Sequence, residues 1–160
     1  MAIGFYDSPA GLLKITATEL GISEVSFVSN QSNDPMVVQD QDSIVENGIR
    51  QLKQYFEGQL KAFDLPLDPI GTPFQKQVWH SLKQIPFGKT VSYLDIAKLL
   101  GDPNKIRAVG GANGKNPIAI IVPCHRVIGS DGSLTGYAGG MDKKRWLLQF
   151  EGGLPRELFA

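Results

Sequence analysis

Cysteine and histidine are nearly absent from this 160-residue chain, which has one cysteine, Cys124, and two histidines, His80 and His125. One thiol cannot close an internal disulfide, and these three side chains cannot form a structural zinc site, so stapled and zinc-dependent folds are excluded. Long apolar runs are missing too. No stretch approaches the roughly 18 apolar residues of a spanning helix, and residues 1–10 lack the basic-then-apolar order of a secretion signal. A soluble, reducing, cytoplasmic setting is expected. Net charge is also lacking, with 16 basic and 16 acidic side chains, but that zero hides a split: residues 1–70 carry 4 basic and 10 acidic groups, residues 71–160 carry 12 and 6. Either the basic half faces a polyanion or surface charge has segregated by chance. The remaining composition, 42% hydrophobic with 18 glycines and 10 prolines, is that of an ordinary globular protein with a core of its own.

The order of elements predicts two domains. Residues 12–18 and 22–28 are β-favouring runs around Glu19-Leu20-Gly21, a hairpin pattern. Between Ser43 and Gly58, Val45, Ile49, Leu52 and Phe56 step by helical intervals, completing a small α/β domain over residues 1–70. Residues 60–71, with Pro66 and Pro69, form a connection that can include an edge strand. Beyond Gly71 the pattern becomes helical. Thr72-Pro73-Phe74-Gln75 is a capping box that opens a helix to about Ile85, with Phe74, Val78, Leu82 and Ile85 on its buried stripe. Ser92-Tyr93-Leu94-Asp95 opens a second helix, closed by Gly101, and Asp102-Pro103 starts a third. Two helices joined by a glycine turn are either a helix-turn-helix or plain core packing. Gly110-Gly111-Ala112 allows close approach by another backbone or by a ligand. Residues 117–122 read as a buried strand leading to Cys124, and Asp142 reads as the cap of a last helix.

A lone cysteine is either an inert small hydrophobe or a nucleophile. Next to Cys124 stand His125 and Arg126, whose donors and positive charge favour the thiolate, the reactive form. An extended chain would turn Cys124 and His125 to opposite faces, so the backbone must bend here or a water must join them.

Pro123-Cys124-His125-Arg126-Val127 carries a resemblance. It is preceded by Arg107-Ala108-Val109-Gly110 and Asn116-Pro117, and followed by Gly136-Tyr137-Ala138-Gly139-Gly140 and Trp146-Leu147-Leu148. Over residues 72–152 the chain resembles the O6-alkylguanine-DNA alkyltransferase family. The resemblance implies a ribonuclease H-like α/β domain at residues 1–70, and a mostly helical domain at 71–160 with a winged helix-turn-helix-like motif. The implied activity is direct, single-turnover DNA repair. The alkyl group of O6-alkylguanine, or of O4-alkylthymine, passes to Cys124, and no cofactor takes part. His125, acting through a water, takes the thiol proton, Glu151 holds the imidazole, Tyr93 donates to the departing base and Asn116 braces the site. Arg107 fills the stack vacated by a flipped base, on a helix entering the minor groove with Ala108, Gly110, Gly111 and Ala112 against the DNA. Val127, Pro123, Tyr137, Ala138 and Gly139 wall the base pocket, with Ala138 lacking the hydroxyl that some branches place there. Arg126 joins Tyr93 as a further DNA contact, and Lys76, Lys105 and Lys115 are added as phosphate contacts on charge alone. The partner expected is alkylated double-stranded DNA, bound by a monomer. Two rival readings are a non-catalytic binding module, either a lesion sensor or a helix-turn-helix regulator, and a cysteine hydrolase built on Cys124, His125 and Glu151.

Overall fold

The computed structural model describes residues 1–29 and 42–153. The chain divides into two compact units, Met1–Ile70 with Pro117–Ile121 and Gly71–Asn116 with Val122–Ala160. Residues 117–121 thus return to the first unit, a detour that a single boundary near Gly71 does not anticipate.

The first unit is an antiparallel sheet covered by one helix. Strands β1 (Ala2–Ser8), β2 (Gly11–Ala17) and β3 (Ile22–Phe27) pair in chain order. The expected hairpin is β2–β3; β1, interrupted in sequence by Gly4, is an additional strand. Helix α1 (Ser43–Phe56) is capped by Asp42, whose carboxylate accepts from the Ile44 and Val45 amides. Its buried face carries Val45, Gly48, Leu52, Tyr55 and Phe56, so the stripe is rotated from the expected one and Ile49 is only half-buried. Gly48 explains the rotation. A Cβ there would lie 2.8 Å from Ile22 Cδ1, so its missing side chain lets the helix sit close to β3. The expected edge strand shrinks to one parallel bridge, Leu67 to Ile22.

Residues 117–122 are not a strand. Ile118 makes a single parallel bridge to Val25, after which Ile121 N–H donates to Ala119 O at 2.8 Å across Ile120, whose φ is +72°. This is a γ-turn of the rare positive-φ kind, costing about 1 to 3 kcal/mol for a β-branched residue. Ile118 and Ile120 are buried, and that burial offsets the strain.

The second unit is mostly helical. Helix α2 (Pro73–Leu82) has the expected Thr72–Gln75 capping box and buries Val78, Trp79 and Leu82. Strand β4 (Val91–Ser92) leads into α3 (Tyr93–Leu99), capped reciprocally by Ser92 and Asp95. Gly101 (φ +92°) ends that helix, and Asp102 caps a 3-10 turn over Pro103–Lys105 before α4 (Ile106–Gly114) begins. Trp79 Nε1 donates to Ala112 O at 2.8 Å, joining α2 to α4. Strand β5 (Val127–Ile128) pairs in parallel with β4. Helix α5 (Met141–Glu151) starts two residues earlier than expected. Gly140, at φ +97°, is its cap, and Asp142 lies inside the first turn, where its charge suits the positive helix end. Among the described residues, no helix is long and apolar enough to cross a membrane.

Candidate active site

Local backbone chemistry aims the cysteine. Cys124 N–H donates to Val122 O at 2.8 Å around Pro123 (φ −83°, ψ 64°), an inverse γ-turn, and Cys124–Arg126 then coil into one 3-10 turn. A bend, one of the two alternatives for the Cys124–His125 pair, is therefore built into residues 122–126. Cys124 and His125 are both buried, at 6% and 0% exposure.

Three charged or polar groups lock together behind the thiol. His125 Nε2 lies 2.9 Å from Glu151 Oε2, and Arg126 meets the same carboxylate through Nε (2.8 Å) and a second nitrogen (3.0 Å). Arg126 also donates to Ile85 O and lies over the Phe87 ring, 5.8 Å from its centre. This corrects two expectations for Arg126. Buried and fully engaged, it neither reaches DNA nor lends its charge to the thiolate; its guanidinium balances Glu151 instead.

That balance sets the protonation states. Hydrogen bonds and charge from His125 and Arg126 outweigh burial and hold Glu151 down at about 2. Burial, aided by the charges of Arg126 and Lys144, pushes His125 below its usual range against the opposing pull of Glu151. The imidazole is thus neutral. A carboxylate only accepts, so the ring proton is on Nε2 and Nδ1 presents a lone pair, the form a general base needs. Burial raises the Cys124 thiol, opposed by a hydrogen bond from Asn116, the charge of Lys144 and the residue's own backbone. The resting sulfur is a thiol that requires a base.

Lys144 is the positive group near the sulfur, and it was not among the expected site residues. Fully buried on α5, it donates from Nζ to Val127 O and Thr135 O, both at 2.7 Å, and lies 5.9 Å from the centre of the Tyr93 ring. Burial lowers its pKa to about 8, with Cys124 acting in the opposite direction. A helical-wheel reading would have found it, since Lys144, Leu147, Leu148 and Glu151 occupy one buried face of α5.

The structure gathers Cys124, His125, Glu151, Asn116 and Tyr137. Asn116 Nδ2 donates to Val122 O at 2.8 Å, fixing the turn before the thiol. The Tyr137 hydroxyl is pushed well above its ordinary range by burial, then by the charges of Cys124 and Glu151. Tyr93 connects indirectly: its hydroxyl donates to Thr135 O at 3.1 Å, the carbonyl that Lys144 also holds. Pro123 belongs to the γ-turn. Val127 N–H donates to Cys124 O, and its carbonyl, holding Lys144, keeps a second acceptor position. Ala138 is exposed and Gly139 half-buried.

The outer face of α4 differs from this buried cluster. Lys105, Arg107, Ala108, Gly111 and Lys115 are exposed, Gly110 is half-buried, and Arg107 makes no ion pair or hydrogen bond among the described residues. A Cβ on Gly111 would meet nothing within 4 Å, so its smallness is not required by packing inside the protein. Ala112 is the exception. It is buried, with its carbonyl bonded to Trp79, so it packs the helix and does not face outward. Among the described residues, no three His, Cys, Asp or Glu side chains are grouped to hold a metal.

Residues 73–153 match the model of the 6-O-methylguanine DNA methyltransferase DNA binding domain, and residues 1–69 that of the 6-O-methylguanine DNA methyltransferase ribonuclease-like domain. The chain is 49% identical over 158 residues to a methylated-DNA–protein-cysteine methyltransferase of Methanosarcina acetivorans, covering 95% of this chain and 99% of the relative. A crystal structure of the Mycobacterium tuberculosis O6-methylguanine methyltransferase superposes with a TM-score of 0.82 at 43% identity, over 99% of this chain and 98% of the other. The Mycobacterium tuberculosis OGT in complex with DNA gives 0.81 at 44% identity, over 92% and 91%.

Proposed function

We propose, from the premise that the chain belongs to the O6-methylguanine DNA methyltransferase family, that it repairs DNA by moving the alkyl group of O6-alkylguanine onto Cys124. The observation that carries the reading is the buried Glu151–His125 pair, which leaves a neutral imidazole with a buried, unpartnered Nδ1 on the residue that follows Cys124.

The reaction begins with His125 Nδ1 taking the thiol proton through a water. The sulfur lone pair forms the S–C bond as the C–O6 bond breaks, and its electron pair moves onto the base. One proton leaves the thiol and one is gained by the base. Tyr93 supplies that proton, and its hydroxyl exchanges Thr135 O for the base to do so. Lys144, donating to two carbonyls and facing both Cys124 and Tyr93, offsets negative charge on either side of the transfer. The product is a thioether with no good leaving group, so each molecule reacts once.

A base inside a duplex is out of reach and must be flipped. The exposed, side-chain-poor face of α4 suits a minor groove, and Arg107 at its start fills the vacated stack. O4-alkylthymine as a second substrate and action as a monomer belong to the same reading.

Intact mass after incubation with O6-methylguanine duplex tests it. The protein should gain one methylene on Cys124, and an unmodified protein would favour a lesion sensor. Arg107→Ala should slow repair of duplex by about tenfold or more while leaving reaction with free O6-methylguanine unchanged, since the finger acts on flipping. Equal losses on both substrates, read by single-turnover kinetics, would remove that role.

A further inference from the structure

We infer that Asn113 is a positioning residue of the proton relay, orienting the water through which the Cys124 thiol proton reaches His125. The inference rests on the reading of Cys124 as the alkyl acceptor.

Asn113 lies on the inner face of α4 with Val109 and Ala112 and is 1% exposed. Its Nδ2 donates to Cys124 O at 3.4 Å. A carbonyl accepts and never donates, so the amide can only face this way round, and Oδ1 points elsewhere as an acceptor. Two fully buried side-chain acceptors close to Cys124 have no protein donor: Asn113 Oδ1 and His125 Nδ1. Nδ1 is an acceptor because Nε2 carries the proton shared with Glu151. Leaving such groups unsatisfied is costly, and buried polar atoms of this kind bind ordered water.

One water satisfies the whole set. Its two O–H groups donate to His125 Nδ1 and Asn113 Oδ1, and its oxygen is left to accept from the Cys124 S–H. The transfer then balances. The thiol proton moves to the water oxygen, the hydrogen facing Nδ1 moves to the imidazole, the S–H electron pair stays on sulfur, and water is regenerated. Asn113 holds the other hydrogen, so the water has one productive orientation; without that acceptor it turns freely.

Single-turnover methyl transfer from O6-methylguanine duplex to Cys124, followed against pH, tests the role in the wild type, Asn113→Leu, His125→Ala and the double variant. Asn113→Leu, similar in size and apolar, should slow transfer about tenfold near neutral pH, a part of what general-base catalysis supplies. The loss should shrink as pH rises and the thiolate forms unaided, and should vanish in the His125→Ala background, because both changes disable one relay. Asn113→Ser, which keeps an acceptor, should recover most of the rate and covers the case in which the leucine variant fails to fold. A loss equal at every pH, or one that multiplies with His125→Ala, would overturn the positioning role. A wild type that is never methylated would overturn the functional reading as well; a methylated wild type with an unaffected Asn113→Leu would overturn this inference alone.

Discussion

Glu151→Ala is expected to lower unfolding free energy by about 3 to 5 kcal/mol, and to slow methyl transfer about a hundredfold or more in the protein that stays folded. The carboxylate is buried and accepts three hydrogen bonds, two from Arg126 and one from His125. Its removal strands a buried guanidinium and releases the imidazole from its tautomer. Thermal or urea unfolding measures the first effect, with a fall in Tm of about 10 °C or more for a chain this size, and single-turnover kinetics measures the second. Arg126→Met combined with Glu151→Leu separates them. Removing both charges should restore much of the stability, as apolar replacements of buried ion pairs do, but not the rate. Full recovery of the rate would mean that Glu151 has no part in the chemistry.

The same carboxylate gives the fold an acid limit. Glu151 is held at about 2 against 4.5 for the free group, so its contribution is fully present above about pH 4.5 and lost as pH falls toward 2. His125 is held below its usual 6.5, so the unfolded chain takes up a proton that the folded chain refuses, and stability begins to decline below about pH 6.5. Urea midpoints against pH should show both, and the lower step should disappear in Glu151→Ala.

Cys124→Ala should abolish transfer while keeping affinity for the alkylated duplex. No second thiol exists, and the nearby amine, Lys144 Nζ, is committed to two backbone carbonyls and carries its proton below about pH 8. Intact mass should show no methyl gain, and gel-shift binding should match the wild type within about twofold, since in the proposed reading the exposed face of α4, not the buried thiol, holds the DNA. Wild-type progress curves should stop at one equivalent of methyl transferred. Continued turnover would restore the hydrolase reading, in which the same three residues act as a triad.

Much of this was legible in the chain. Capping signals at Thr72 and Ser92, the glycine after α3 and the turn-demanding Cys124-His125 pair each encode local structure through nearby backbone chemistry, and the structure contains them. Lys144 and Asn113 were legible but passed over. Each sits at helical spacing from buried apolar neighbours, Leu147 and Leu148 or Val109 and Ala112, and a polar side chain on such a face has to find buried partners.

Other features had no local signal. Residues 117–122 have the apolar, β-branched composition of a strand, yet the positive φ at Ile120 breaks it, because residues 117–121 pack with the first unit while Val122 belongs to the second. Nothing near Arg126 in sequence shows that it is spent on Glu151 and Ile85, 25 and 41 positions away. The sequence by itself determined where the helices lie, the caps at Thr72 and Ser92, the lone thiol and the family, since these depend on residue identity and short-range geometry. Tertiary structure decided which charges cancel, where the imidazole proton resides and which cation faces the sulfur. Those depend on burial and on partners brought together from distant parts of the chain.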